Sequence, residues 1–190
     1  MSVALVESGA ALESMRNSDF DVCSAYGEVI DNSLQADSTE IRVLIDYKPA
    51  LARGQREPIQ SVAFGDNGTG MENDILHRCL QLGYSTRYND RSGIGRFGVG
   101  ATLAAINQCQ KVEIYSKPKD SKEWNYTFVD LQLITSKKQS SIPEPKLKTI
   151  PASLMKLVPG NTGTLVIWSK YDRQPDDASR KVPFHQRSYR

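Results

Sequence analysis

Four polar side chains recur at helical spacing in the stretch GEVIDNSLQA, residues 27–36. The positions i, i+3, i+4 and i+7 share one face of a helix, and here they hold Glu28, Asp31, Asn32 and Gln35. A carboxylate such as Glu28 can orient or deprotonate a water for attack on a phosphoryl group. Asn32, one turn later, offers an oxygen to a hard metal ion that bridges phosphates. The spacing therefore suggests phosphate chemistry on this face.

The helix that would present this face has a start signal and an apolar side. Asp21 can cap the first turn. The apolar side would consist of Val22, Ala25, Val29 and Leu34. We therefore expect this helix to begin after Asp21 and to end near residues 36–37.

A second polar group stands at the end of a predicted strand, in FGDNGTGM, residues 64–71. Asp66 could accept a hydrogen bond from an amino group, and the glycines Gly68 and Gly70 would let the backbone pass close to a ligand. Met71 would open the next helix. By itself the segment also fits an ordinary Asp-Asn-Gly turn.

A glycine-rich loop, GIGRFGVG, precedes an apolar helix. Backbone N–H groups at such a helix start form an anion site suited to phosphates. The loop follows a helix rather than a strand, so the dinucleotide fingerprint fails its context test, and no G-x-x-x-x-G-K-[ST] loop is present. A flexible hinge is the alternative. The residues of this loop are Gly93, Ile94, Gly95, Arg96, Phe97, Gly98, Val99 and Gly100.

Composition bounds the class without identifying partners. The chain has 190 residues, 39% hydrophobic, and a net charge of +2, so charge argues for neither nucleic acid nor a membrane surface. No basic leader or long apolar run occurs, which predicts a cytoplasmic protein, or a nuclear one in a eukaryote. The three cysteines lack metal or redox spacing and are expected to be buried thiols. The two histidines are isolated, and a catalytic role is not favoured for either.

The order of predicted elements favours an α+β fold. The predicted helices are residues 7–16, 22–36, 71–82 and 99–109, and the predicted strands are residues 41–47, 59–64, 111–117, 123–134 and 162–171. This order lacks the alternation of a doubly wound parallel sheet. We expect a two-layer sandwich with helices covering one face of the sheet.

Two segments are polar and aperiodic. Residues 174–190 are expected to be a tail or the start of a following domain, after a domain of residues 1–173. The basic stretch KKQSSIPEPKLK, residues 137–148, and the arginine-containing tail could contact nucleic acid, but a solvated surface is the favoured interpretation of both.

Four motifs in order resemble the GHKL ATPases, the superfamily of gyrase, the ninety-kilodalton heat-shock chaperone, MutL and sensor histidine kinases. They are E-x-x-D-N-S at 28–33, D-x-G-x-G at 66–70, G-x-G-x-x-G-x-G at 93–100 and Gly163-Thr164. The resemblance covers residues 12–169, and its N-terminal part looks most like the Microrchidia (MORC) type. It implies the Bergerat ATP-binding fold, with a mixed, mostly antiparallel sheet.

The resemblance implies roles for individual residues. Glu28 matches the general base, Asn32 the magnesium ligand, and Asp66 the group that binds the adenine amino nitrogen. Thr164 would support Asp66 through a water. Gly68, Gly70 and Met71 would line the adenine and ribose side, residues 84–91 would form a lid, and the phosphates would be wrapped by Gly93, Gly95, Arg96, Phe97, Gly98, Val99 and Gly100.

Two departures qualify these roles. Many relatives carry an aspartate where this chain has Gln35, so a second polar contact from that position is in doubt. Relatives often supply a cation to the terminal phosphate from the following domain, and the sequence after residue 173 has few residues to provide it. Slow turnover is the expectation.

The leading hypothesis is a magnesium-dependent ATPase whose lid and N-terminal segment close on ATP and drive homodimerisation. One alternative is a nucleotide-gated binding module with negligible turnover. The other is a histidine-kinase catalytic domain, although Glu28 argues against it because that branch usually has an amide there. No membrane partner is expected.

Overall fold

The centre of the fold is a six-stranded antiparallel sheet with the strand order β1-β2-β6-β3-β4-β5. The computed structural model describes residues 8–16, 21–50, 57–82 and 100–173. The strands are β1 Ile41–Tyr47, β2 Ile59–Asp66, β3 Cys109–Lys117, β4 Asn125–Asp130, β5 Lys146–Leu147 and β6 Gly163–Tyr171. The predicted α+β architecture with a mostly antiparallel sheet is confirmed.

Helices cover one face of this sheet. They are α1 Ser8–Met15, α2 Val22–Gln35, α3 Asn73–Arg78, α4 Gly100–Gln108 and α5 Leu131–Thr135. The helix α2 begins where predicted, because the Asp21 side chain accepts a hydrogen bond from the Ser24 N–H at 2.7 Å. It packs on the sheet through Ala25 and Val29, whereas Leu34, predicted on the apolar side, is 57% exposed.

The last strand in sequence lies between β2 and β3. In this register Val62 of β2 and Val112 of β3 both pair with Trp168. The register also places Thr164, near the start of β6, beside Ser116 of β3 and next to the end of β2. Three chain segments that are distant in sequence therefore meet at one end of the sheet.

The opposite face of the sheet is covered by the segment between β5 and β6, which includes a 3-10 helix, Met155–Leu157. Its buried residues are Ile150, Leu157 and Val158, and they pack on Ala63, Tyr115, Tyr126, Leu165 and Ile167. Most of the basic stretch 137–148 is exposed, as expected, but part of it contacts the sheet. Gln139 is buried with its Nε2 donating to Phe128 O, and Lys148 Nζ lies 3.6 Å from the Tyr126 ring centroid. Part of this stretch is thus a structural cover.

Two predicted elements differ in extent. The predicted strand 123–134 ends at Asp130, because the Asp130 carboxylate accepts from the Gln132 and Leu133 N–H groups and caps α5. The predicted helix 71–82 is reduced to α3. The backbone is still extended at Glu72, with ψ 159°, so Met71 precedes the helix rather than opening it.

The N-terminal helix is tied to the far ends of α4 and β6. Arg16, buried at 5% exposure, donates from Nε to Ile106 O at 2.7 Å and from Nη2 to Asp172 Oδ1 at 2.5 Å. Asn107 Nδ2 in turn donates to Arg16 O at 2.6 Å. A buried charge with this many partners fixes α1 on the rest of the domain.

None of the helices in the described ranges has the length and apolar character needed to cross a bilayer. The three cysteines are unpaired, and burial raises the pKa of the Cys79 and Cys109 thiols, which keeps both protonated at neutral pH. The predicted tail, residues 174–190, lies outside the described residues, so the domain division at residue 173 stays a prediction.

Candidate functional site

A cavity of about 410 Å³ lies between the helices and the sheet. Seven of the residues predicted from sequence line it: Glu28, Asn32, Asp66, Gly70, Met71, Gly100 and Thr164. Apolar side chains from α3, α4 and the sheet form much of the remaining wall, among them Ile75, Leu80, Ala105, Val112, Ile114, Val166 and Trp168. Its size and its mixture of apolar walls with few polar groups are typical of small-molecule sites.

Other predicted residues cannot be placed on this cavity. The lid, residues 84–91, and Gly93, Gly95, Arg96, Phe97, Gly98 and Val99 lie outside the described residues. Gly68 is described but does not line the cavity. Of the four polar residues predicted on one face of α2, Glu28, Asn32 and Gln35 line the cavity and Asp31 does not.

Asp66, the last residue of β2, is a buried carboxylate held by three protein donors. Its Oδ1 accepts from the Gly68 N–H at 2.9 Å and from the Thr164 N–H at 3.1 Å. Its Oδ2 accepts from Ser33 Oγ at 2.9 Å. Burial raises the pKa of Asp66, and these hydrogen bonds oppose that rise. We call the part of the cavity lined by Asp66, Ser33 and Thr164 its strand end.

Thr164 contacts Asp66 directly as well. The backbone N–H of Thr164 donates to Asp66 Oδ1 at 3.1 Å, a contact that follows from the pairing of β2 with β6. The Thr164 hydroxyl is 3.0 Å from Ser116 Oγ. The bridging water that the resemblance implies stays a prediction.

Ser33 was missed by the sequence reasoning. It lies on the buried side of α2, in the series Ala25, Val29 and Ser33 at intervals of four residues. A hydroxyl in line with two apolar residues needs a partner in the core. That was the available signal, but the identity of the partner, Asp66, depends on how β2 packs against α2 and could not be read from local spacing.

The glycines near Asp66 serve the packing of the protein's own backbone. A Cβ on Gly68 would lie 2.7 Å from Ala36 O, and one on Gly70, whose φ is +71°, would lie 2.4 Å from Lys117 O. Close packing against the protein's own backbone is thus a reason for glycine at both positions, and the close approach to a ligand stays a prediction. These glycines bring the loop after β2 close enough to α2 and β3 to hold Asp66 in place.

Glu28, Asn32 and Gly100 line the other part of the cavity, which we call its helix end. The Glu28 carboxylate rests against the first residue of α4, because a Cβ on Gly100 would lie 2.2 Å from Glu28 Oε2. Burial raises the pKa of Glu28, and the nearby charge of Asp31 raises it further. Asn32 follows one turn later and is exposed. The helix end thus has a carboxylate that binds protons more tightly than usual beside an exposed amide.

The helix α2 connects the two ends of the cavity. Glu28 and Ser33 are five residues apart, which corresponds to a rise of about 7.5 Å along a helix. A ligand that contacts both ends would lie along α2. Within the described residues no group of three or more His, Cys, Asp or Glu side chains could hold a metal ion. A magnesium ion held by Asn32 would therefore also need oxygens from phosphates or waters.

Comparison with known proteins gives one family match and several relatives. A family model described as "Histidine kinase-, DNA gyrase B-, and HSP90-like ATPase" matches residues 20–164. Protein MICRORCHIDIA 7 of Arabidopsis thaliana is 25% identical over 169 residues, covering 80% of this chain and 23% of that protein. Putative MutL protein homolog 1 of Schizosaccharomyces pombe is 33% identical over 128 residues, covering 64% of this chain and 17% of that protein.

A third relative, Protein MICRORCHIDIA 4 of Arabidopsis thaliana, is 25% identical over 164 residues, covering 77% of this chain and 20% of that protein. The chain spans about a fifth of the length of these relatives. The similarity therefore concerns one region of much longer proteins.

Proposed function

Since this chain belongs to the family of histidine kinase-, DNA gyrase B- and HSP90-like ATPases, we propose that it binds magnesium-ATP in the cavity and hydrolyses it with Glu28 as general base. The predicted resemblance to MORC-like GHKL ATPases is confirmed by the family match and by the MICRORCHIDIA and MutL relatives. The observation that carries the proposal is that a single cavity is lined by Asp66 at its strand end and by Glu28 at its helix end.

The strand end suits a base that presents an amino group. A carboxylate offers about four acceptor positions, and protein donors occupy three of those of Asp66. The remaining position can accept from an exocyclic amino group such as that of adenine. Because Asp66 is already fixed by its partners, little ordering is needed when the ligand binds.

The helix end fits a magnesium ion carried by the phosphates. Magnesium usually keeps several waters and takes one or two protein oxygens together with phosphate oxygens, and the exposed amide of Asn32 provides one such oxygen. When bound, the ion would neutralise charge on the phosphates. Asn32 would thereby fix the phosphate chain one helical turn from Glu28.

Glu28 is the group proposed to accept the proton of the attacking water. A base is most effective when its pKa lies near the working pH, and burial moves the pKa of Glu28 in that direction. Its ionised carboxylate can hold the water and take its proton as the phosphoryl group transfers. A base of this kind typically contributes about 10² to 10⁴ in rate.

The test is Glu28→Gln, with Glu28→Ala as a second variant, in single-turnover hydrolysis with enzyme in excess so that slow turnover is measurable. The amide keeps the shape of the side chain but cannot accept the proton, so the rate should fall by about 10² to 10⁴ while ATP affinity stays within a few-fold. Asp31→Ala is the matched control, because Asp31 lies three residues along the same helix and outside the cavity lining. It should keep most of the rate at neutral pH.

The possible results separate the hypotheses. An unchanged rate in both Glu28 variants would exclude Glu28 as the base. Tight ATP binding by the wild-type chain without any hydrolysis would instead favour the nucleotide-gated binding module.

Lid closure and dimerisation are a further part of the proposal. The support for a lid is that Leu80 and Gly100, which flank the lid segment in sequence, both line the cavity. Trapping ATP with Glu28→Gln should therefore accumulate a homodimer. Sedimentation of this variant with and without magnesium-ATP measures the effect, and a monomer under both conditions would contradict it.

A further inference from the structure

Ser116 is fully buried next to the strand end of the cavity, but it does not itself line the cavity. It contacts three residues from two other segments of the chain. The Met71 N–H donates to its Oγ at 2.8 Å, the Gly163 carbonyl accepts from it at 3.2 Å, and Thr164 Oγ1 lies 3.0 Å away. Two of these neighbours, Met71 and Thr164, line the cavity.

The direction of each hydrogen bond follows from counting protons. A serine hydroxyl has one proton and two lone pairs. Because the Gly163 carbonyl can only accept, we assign the Ser116 proton to Gly163 O. With this assignment the bond between Ser116 and Thr164 uses the Thr164 proton, and Ser116 accepts it. The Thr164 hydroxyl therefore has only lone pairs left for the cavity.

We propose that Ser116 is a positioning residue for base selectivity, which acts by holding the Thr164 hydroxyl as a hydrogen-bond acceptor beside Asp66. This inference rests on the proposed nucleotide-binding function. Asp66 and Thr164 would then present two acceptors to the base. The amino group of adenine can donate to Asp66 and to Thr164. The carbonyl of guanine would instead place an acceptor against these two acceptors, which disfavours its binding.

Removing the hydroxyl should weaken this selection without removing the ligand site. In Ser116→Ala the Thr164 proton loses its acceptor and can turn toward the cavity, where it can donate to a guanine carbonyl. Because one hydrogen bond changes its direction, the preference for ATP over GTP should fall by about tenfold. The measurement is direct calorimetric titration of the full chain with ATP and with GTP.

A matched control separates positioning from general loss of stability. Thr127 is also fully buried and donates a hydroxyl hydrogen bond, to Pro143 O at 2.8 Å, but it does not line the cavity. Thr127→Val should lower the melting temperature much as Ser116→Ala does, yet leave the preference for ATP over GTP unchanged.

A double-mutant cycle tests whether Ser116 acts through Thr164. In a Thr164→Val background, Ser116→Ala should change the ATP-to-GTP ratio no further. An equal additional loss would mean that the effect runs through Met71, and it would overturn the inference. If the wild-type chain prefers ATP and Ser116→Ala keeps that preference, only this inference fails. If the wild-type chain binds neither nucleotide, the proposed function fails as well.

Discussion

The two ends of the cavity hold their carboxylates in opposite ways. At the strand end Asp66 is 4% exposed and accepts three hydrogen bonds from the protein. At the helix end Glu28 is half-buried, and no donor from the described residues bonds its carboxylate. Burial raises the pKa of both, but only Asp66 has hydrogen bonds that oppose the rise.

This difference matches two different tasks. A recognition group works best when its position and charge are fixed before the ligand arrives. A proton acceptor works best when its lone pairs are free and its pKa is raised toward the working pH. In the proposed function the helix α2 would serve both tasks, because Ser33 bonds Asp66 while Glu28, five residues earlier, lines the other end.

The largest expected effect on stability comes from adding a methyl group at the strand end. Gly163 has φ 138°, and a Cβ there would lie 2.0 Å from the backbone oxygen of Asp66. Because neither backbone can move easily, Gly163→Ala should cost about 3 kcal/mol and lower the melting temperature by about 6–12 °C. An unchanged thermal transition would mean that the strand end is not rigid.

The same change at the helix end should affect catalysis instead of stability. A Cβ on Gly100 would lie 2.2 Å from Glu28 Oε2, which is the tip of a flexible side chain. Gly100→Ala should therefore fold, with a helix start that is no less stable, but its displaced carboxylate should slow hydrolysis about 10- to 100-fold. If single-turnover rates match the wild type, Glu28 does not act from its observed position.

An isosteric change at Asp66 should weaken binding while leaving the fold intact. In Asp66→Asn the new amide N–H can donate to the Ser33 hydroxyl. The Ser33 hydroxyl can then donate its own proton to Val29 O, which lies 3.3 Å away, so the contact between the two side chains is kept. The position that faces the ligand becomes a donor or loses its charge, so ATP affinity should fall about 10- to 100-fold in calorimetry.

The melting temperature at pH 7 shows whether the fold of Asp66→Asn is intact. The pKa of Asp66 in the folded state is raised above its ordinary value of 3.8. The contribution of this group to stability is therefore present below pH 3.8 and is lost as the pH rises through the folded-state pKa. Asp66→Asn should accordingly melt no lower than the wild type at pH 7. A large drop would show that lost affinity reflects misfolding.

The smallest effect concerns the charge beside Glu28. The pKa of Glu28 is raised above its ordinary value of 4.5. The rate of hydrolysis should therefore fall as the pH drops through this raised pKa, because the base becomes protonated. Asp31 contributes to the rise, and Asp31→Asn should move the acidic limb of the rate profile to lower pH. An unmoved limb would mean that another group sets it.

The sequence allowed the fold class and several residues that line the cavity to be predicted, because both depend on local patterns. The D-x-G-x-G segment follows a strand directly, and the E-x-x-D-N-S segment has helical spacing, so Asp66, Glu28 and Asn32 could be assigned to elements. The cap at Asp21 was predictable for the same reason.

Contacts between distant segments were beyond such patterns. Ser33 and Ser116 look like ordinary polar residues in the sequence. Their partners, Asp66 and Thr164, are 33 and 48 residues away and come into contact with them only in the folded structure. Leu34 was misassigned because α2 rests on the sheet through a narrow stripe. Most of the stretch 137–148 is exposed as predicted, but the contact of Lys148 with the Tyr126 ring could not be predicted, because only the folded sheet provides that ring.

The most direct test measures two variants in parallel, each for ATP affinity and for the single-turnover rate at saturating magnesium-ATP. Glu28→Gln should lose about 10² to 10⁴ in rate and keep its affinity, whereas Asp66→Asn should lose affinity and keep its saturated rate within a few-fold. Such opposite losses would support a division of recognition and catalysis between the two ends of one cavity. If Asp66→Asn slows the saturated reaction as much as Glu28→Gln does, or if Glu28→Gln weakens binding without slowing hydrolysis, that division is contradicted.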